Sequence, residues 1–260
     1  AGAAGAGLAA LALAATALLG ARAREPAPPG EVPVWLWAWE RPEELRFLEG
    51  RADVGVAYLA RTVVVSGDQL AVRPRRNPLH VAPGTPLTAV VRLEVPRGIA
   101  PSLAAVDRVA REVRAGLDPA VTRRLQLDFD ARASELPFYR ALLAHLRATL
   151  PRDAWLGITA LAAWCASDPS WLGDPALPVD GVAPMAFSMG PDGARVRAWL
   201  ALRGGFSVDA CRRDFGLSVA EPIAVPDGAR VVHAFSPTPW TPEAFARVPR
   251  ASRTPSHGAP

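Results

Sequence analysis

Apolar residues recur along the chain in short runs of strand length, each closed by a polar, Gly or Pro position. Eight such runs can be counted, over residues 33–39, 54–59, 88–95, 125–129, 155–164, 181–187, 217–222 and 230–235. Between several of them the apolar spacing lengthens from two to three or four. Residues 102–115 set Leu103, Val106, Val109, Ala110 and Val113 on one helical face, and residues 135–150 predict a second helix with Ser134 as its N-cap. One or two further helices are expected within residues 192–215 and a last one over 242–248. Strands and helices in this number predict an α/β fold, a (β/α)8 TIM-type barrel. An irregular barrel is expected, because residues 62–65 and 69–72 read as a hairpin inserted after strand two and only a turn joins strands seven and eight. A doubly wound sheet is the alternative, weakened by the absence of a Gly-rich phosphate loop.

The fourth run carries the candidate chemistry. Leu125, Leu127 and Phe129 share one strand face, so Gln126, Asp128 and Asp130 share the other, with both acids at the C-terminal end. Barrels of this class build their active sites at that end. Glu221 closes the seventh run. Glycoside hydrolysis needs two carboxyls flanking one bond, about 5 Å apart for retention and about 6.5–9.5 Å for inversion. The expected catalytic set is therefore Asp130 as acid/base, Glu221 as its partner and Asp128 as a like-charge neighbour that helps keep the donor protonated. Arg132 or Arg92, if pointing in, would oppose that effect. Trp39, Trp164, Phe187 and Trp240 lie at or beyond strand ends, and with Glu40 and Arg132 they form the expected substrate-binding set. Aromatic rings so placed suit stacking on a sugar; apolar capping of the barrel top is the structural counterpart, as rim ion pairs are for the acids. Trp35, Trp37 and Trp39 share one strand face and either fill a core or line a groove.

Composition adds constraints on partners and compartment. All 29 basic residues are arginine and the net charge is +4, but the arginines are interleaved with acids along the chain. No nucleic-acid partner is expected, and the densest cluster, Arg73-Pro74-Arg75-Arg76, reads as a solvated loop. Residues 1–19 are nearly all Ala, Gly and Leu and lead to a small-x-small site ending at Ala23. Residues 1–23 are expected to be a signal peptide, or a membrane anchor if uncleaved, followed by a Pro-rich linker over 24–32, one barrel domain over 33–248 and a disordered tail over 249–260. The expected location is periplasmic or secreted, with the membrane a partner only if the first segment is uncleaved. In an oxidising compartment Cys165 and Cys211 are expected to pair, two buried thiols being the alternative. No cofactor or metal is expected: the histidines are scattered, and a divalent ion on Asp128 and Asp130 would lack a third ligand.

Residues 34–40, 126–132, 158–165, 182–187 and 211–222 together resemble the bacterial family catalogued as domain of unknown function 3142, over roughly residues 33–242. The resemblance implies an exported bacterial protein and supplies no activity. Gln126-Leu127-Asp128-Phe129-Asp130-Ala131-Arg132 is more distantly similar to barrel glycoside hydrolases of the chitinase type, whose fourth strand ends in D-x-x-D-x-D-x-E with the last acid as proton donor. Aligning Asp128 and Asp130 with the two internal acids puts Arg132 where that family has its glutamate, whereas a shift of two makes Asp130 the donor. Two functions follow: an exported carbohydrate-active enzyme, a glycoside hydrolase, or a non-catalytic envelope protein that binds a glycan or a protein through its aromatic rim. An enzyme of different chemistry using the same acids is the third.

Overall fold

A computed structural model of the chain describes residues 32–166 and 170–251. The expected signal segment, most of the linker and most of the tail lie outside the described residues. The first strand, β1 (Val34–Ala38), is followed by β2 (Glu43–Leu45), β3 (Val54–Ser66), β4 (Gln69–Pro74), β5 (Leu79–Val81) and β6 (Leu87–Glu94). Strands and helices then alternate: α1 (Val106–Arg114), β7 (Arg124–Asp128), α2 (Leu136–Thr149), β8 (Trp155–Leu161), α3 (Ala162–Ala166), β9 (Gly181–Met185) and α4 (Gly193–Arg203). The chain closes with β10 (Asp214–Ser218), β11 (Val231–Phe235) and α5 (Pro242–Ala246).

Among the described residues eight strands pair in parallel, in the order β1-β11-β10-β9-β8-β7-β6-β3, and β1 pairs back onto β3. The eight parallel strands thus close into a barrel, and β4 extends the sheet from β3 as a ninth strand. Strands covered on both faces read as nearly unbroken apolar runs, which is why β1, with all five residues buried, is legible as Val-Trp-Leu-Trp-Ala. The helical layer is partial. Helices of 9, 14 and 11 residues cross from β6 to β7, β7 to β8 and β9 to β10, but α3 has only 5 residues and an irregular segment without a helix, residues 219–230, joins β10 to β11. Between β3 and β6 the chain runs through β4, antiparallel to β3, and through β5, which pairs with β2 in a separate small ribbon. No helix among the described residues is long and apolar enough to cross a membrane.

Several expected boundaries are corrected. Residues 54–59 and the first hairpin arm form one strand of 13 residues, bent where the register against β6 shifts between Leu59 and Arg61. The fifth run stops at Leu161, and Ala162 begins α3, so Trp164 and Cys165 sit on a helix. The seventh strand begins at Asp214 and ends at Ser218, leaving Glu221 beyond it. Ser134 lies inside a 3-10 turn over Ala133–Glu135, and α2 starts behind it with Pro137 in its first turn. Leu103 is 60 % exposed, because the 3-10 turn that precedes α1 rotates it off the buried face.

Glycines on the same or a neighbouring strand make room for the indoles inside the barrel. A Cβ on Gly55 would lie 2.5 Å from the Trp35 ring, and one on Gly157 or Gly181 would lie 2.1 or 2.6 Å from the Trp155 ring. Arg124 lies across both tryptophans, its guanidinium carbon 5.0 Å from the Trp35 ring centroid and 3.8 Å from a Trp155 ring centroid. Burial pushes that guanidinium down to about 10. The N-terminal half of the barrel is therefore a filled plug, and open space is left at the other end.

Candidate functional site

The C-terminal ends of the barrel strands surround a cavity of about 680 Å³. Parallel register builds its acidic side, because Arg92 on β6 is the partner of Asp128 on β7 and Thr159 follows at the matching inward position of β8. Asp128, almost fully buried, accepts from Arg92 Nη1 at 2.7 Å and from Thr159 Oγ1 at 2.9 Å. Asp130 lies two residues past the end of β7 and lines the cavity with 47 % of its side chain exposed. Its nearest cation is Arg92, whose Nη2 is 3.7 Å from Oδ2. Partial burial and the Asp128 charge push the Asp130 carboxyl above the ordinary carboxylate range, with Arg92 opposing and solvent exposure limiting the shift.

Glu221 lines the same cavity from the far side, after strand seven of the barrel, where its backbone N–H closes a tight turn onto Ser218. Both carboxylate oxygens lie 3.1 Å from the backbone N–H of Ser188, and Oε1 is 3.3 Å from the Ser188 hydroxyl. Arg197 Nη1 stands 3.7 Å from Oε2. Ser188 holds its N–H there from a left-handed backbone conformation, φ +49°, which a side chain disfavours by roughly 1–2 kcal/mol.

Aromatic rings form the third wall. Trp37 stacks near Trp39 with centroids 6.2 Å apart, and Phe235 touches both Trp37 and Phe187 at 4.3 Å. The Arg92 guanidinium carbon lies 5.4 Å from the Trp39 ring centroid, so the acidic and aromatic walls meet.

The structure therefore gathers Asp128, Asp130, Glu221, Trp39 and Phe187 around one cavity and leaves the other expected binding residues outside it. Arg132 is committed to Glu135, which its Nε reaches at 2.7 Å, and to the Pro96 carbonyl. Trp164, carried off the strand by α3, packs edge-on against Trp171 at 5.4 Å. Trp240 is 3 % exposed, donating Nε1 to the Trp37 carbonyl and its backbone N–H to Glu43, and so serves as a strut behind the wall. Glu40 is exposed outside the cavity lining. Thr159, Ser188 and Phe235 escaped the sequence reading. Phe235 could have been found as an aromatic strand end, but nothing in the sequence marks the backbone of Ser188.

A disulfide joins Cys165 on α3 to Cys211 just before β10, bracketing the segment that carries Phe187 and Ser188. Among the described residues no three His, Cys, Asp or Glu side chains converge as a metal ion would require. A family model described as a domain of unknown function (DUF3142) matches residues 82–172, a span that contains Arg92, Asp128, Asp130 and Thr159 but neither Glu221 nor the aromatic wall. No curated protein and no solved structure matches the chain.

Proposed function

We propose that this chain is a carbohydrate-active hydrolase of an irregular (β/α)8 class that cleaves a glycosidic bond at the mouth of its barrel. The observation that carries the reading is the unequal pair of acids on one side of an aromatic-walled cavity with a third carboxylate, Glu221, on the other. A hydrolase needs one carboxyl that keeps its proton near neutral pH and a second group that attacks or activates water. Asp130, with its raised pKa and solvent-facing carboxyl, is suited to protonate the leaving oxygen. Asp128, held by Arg92 and Thr159, supplies the neighbouring charge. Glu221, fixed by Ser188, is the partner, and Trp39, Phe187 and Phe235 offer faces for a sugar ring. We also propose an exported location, supported by the apolar leader and by a disulfide of the kind that persists in oxidising compartments.

The test is release of reducing ends from a panel of neutral, amino and acidic oligosaccharides by the wild type and by Asp130→Asn. The expected result is turnover that falls by roughly 10²–10⁴ in the variant. Turnover that survives Asp130→Asn removes Asp130 from its role. Binding without turnover would favour the second reading, non-catalytic glycan binding, which the aromatic wall alone is enough to support.

A further inference from the structure

The balance of charge in the cavity narrows its ligand. Three carboxylates line it, Asp128, Asp130 and Glu221, together with two arginines, Arg41 and Arg92. Arg41 turns its donors inward: Nε to Glu43 at 2.7 Å, Nη1 to the Pro237 carbonyl and Nη2 to the carbonyls of Ser236 and Thr238. Arg92 is divided among Asp128 at 2.7 Å, Glu94 at 3.4 Å and Asp130 at 3.7 Å. Asp130 carries its proton in the hydrolase reading, so Arg92 answers chiefly Asp128, and Arg73 takes part of Glu94. The cation beside Glu221, Arg197, is no closer than 3.7 Å and is 45 % exposed. With Asp130 protonated as the acid and Asp128 answered by Arg92, Glu221 is the least compensated charge of the cavity, which the aromatic faces of Trp39, Phe187 and Phe235 also line. Carboxylates combined with ring faces attract an ammonium group and repel an anion.

We infer, resting on the carbohydrate reading above, that the cavity selects cationic sugars: glycans bearing free amino groups are preferred over neutral ones, and uronic acid polymers are excluded. A desolvated ammonium on aromatic faces contributes enough for a preference of about tenfold over the matched neutral ligand. Glu221 contributes through its charge, so the isosteric Glu221→Gln should erase most of that preference.

The experiment is equilibrium binding, followed by tryptophan fluorescence, of four probes to the wild type and to Glu221→Gln. The probes are a glucosamine oligomer, its N-acetylated counterpart of the same length, a uronic acid oligomer, and spermidine. The expected result is the order amine, acetamide, uronate, with an amine preference that shrinks in Glu221→Gln and between about 0.05 M and about 0.5 M salt. The salt series on the wild type carries the test if the variant fails to fold. Equal or tighter binding of the acetylated or uronic oligomer overturns the charge inference while leaving the carbohydrate reading in place. Binding of spermidine with no binding of any sugar upholds the charge inference and removes the carbohydrate reading. Absence of binding by all four probes overturns both.

Discussion

Replacing Cys165 and Cys211 together by Ala is expected to destabilise the fold and loosen one wall of the cavity. The bond closes a loop with a sequence separation of 46, for which the chain-entropy relation gives about 4 kcal/mol at 25 °C. Both cysteines are at most 1 % exposed, so truncation also removes packed atoms and adds to the loss. At roughly 2–4 °C per kcal/mol for a chain of this size, the melting temperature should fall by about 10 °C or more. Urea unfolding followed by tryptophan fluorescence measures the change, and reduction of the unfolded wild-type chain before refolding gives an independent route to the same state. Because the loop carries Phe187 and Ser188, whose N–H holds Glu221, any ligand of the cavity should bind the variant more weakly. Two results would count against this expectation. Titration of two thiols in the denatured, unreduced protein would show that no bond exists, and a loss of stability below about 0.5 kcal/mol would show that the loop constrains little.

Two further predictions concern the barrel interior. Gly157→Ala would drive a Cβ to 2.1 Å from a Trp155 ring that Arg124 holds on one face, so a loss of about 3 kcal/mol is expected, partly recovered in a Trp155→Phe background. A loss below about 1 kcal/mol would mean that the indole is not locked in its glycine slot. His233 is pushed down to about 3 by burial and by the charges of Arg124 and Arg213. Its folded pKa lies below the unfolded value of about 6.5, so as pH falls from 6.5 towards 3 the unfolded chain takes up a proton that the native state refuses. Stability is lost across that window by up to about 1.4 kcal/mol per pH unit, and the urea midpoint of His233→Asn should lack this component. Parallel pH dependences for wild type and variant would contradict it.

Much of the barrel was legible because each parallel strand is buried on both faces and spells itself as an apolar run. The fourth strand was legible to the level of side-chain direction, since Gln126 and Asp128 are buried while Asp130 opens on the cavity. The seventh strand was misplaced for a physical reason. Its true start is Asp214-Phe215-Gly216, and Gly216 must stay bare because a Cβ would lie 2.7 Å from the Pro184 carbonyl oxygen, so a polar and a glycine position break the apolar run and the helical region reads on through Phe215. The short α3 was hidden for the opposite reason: Ala162-Ala163-Trp164-Cys165 continues the apolar run of β8 over too few residues for a helical period to emerge. Trp240 and Arg132 show the limit of reading site residues by their distance along the chain. Both stand near a strand end, yet one is a buried strut and the other is tied to Glu135.

Asp130 is proposed to donate the proton to a departing sugar oxygen. Hydrolysis by wild type and by Asp130→Asn of a series of glycosides of one sugar, differing only in leaving-group acidity, checks this role. A strongly acidic phenol needs little protonation and an alkyl alcohol needs much, so the variant should lose roughly 10²–10⁴ on the alkyl glycosides and less than about tenfold on the most activated aryl ones. A loss of the same size across the whole series, or no loss at all, would contradict the assignment.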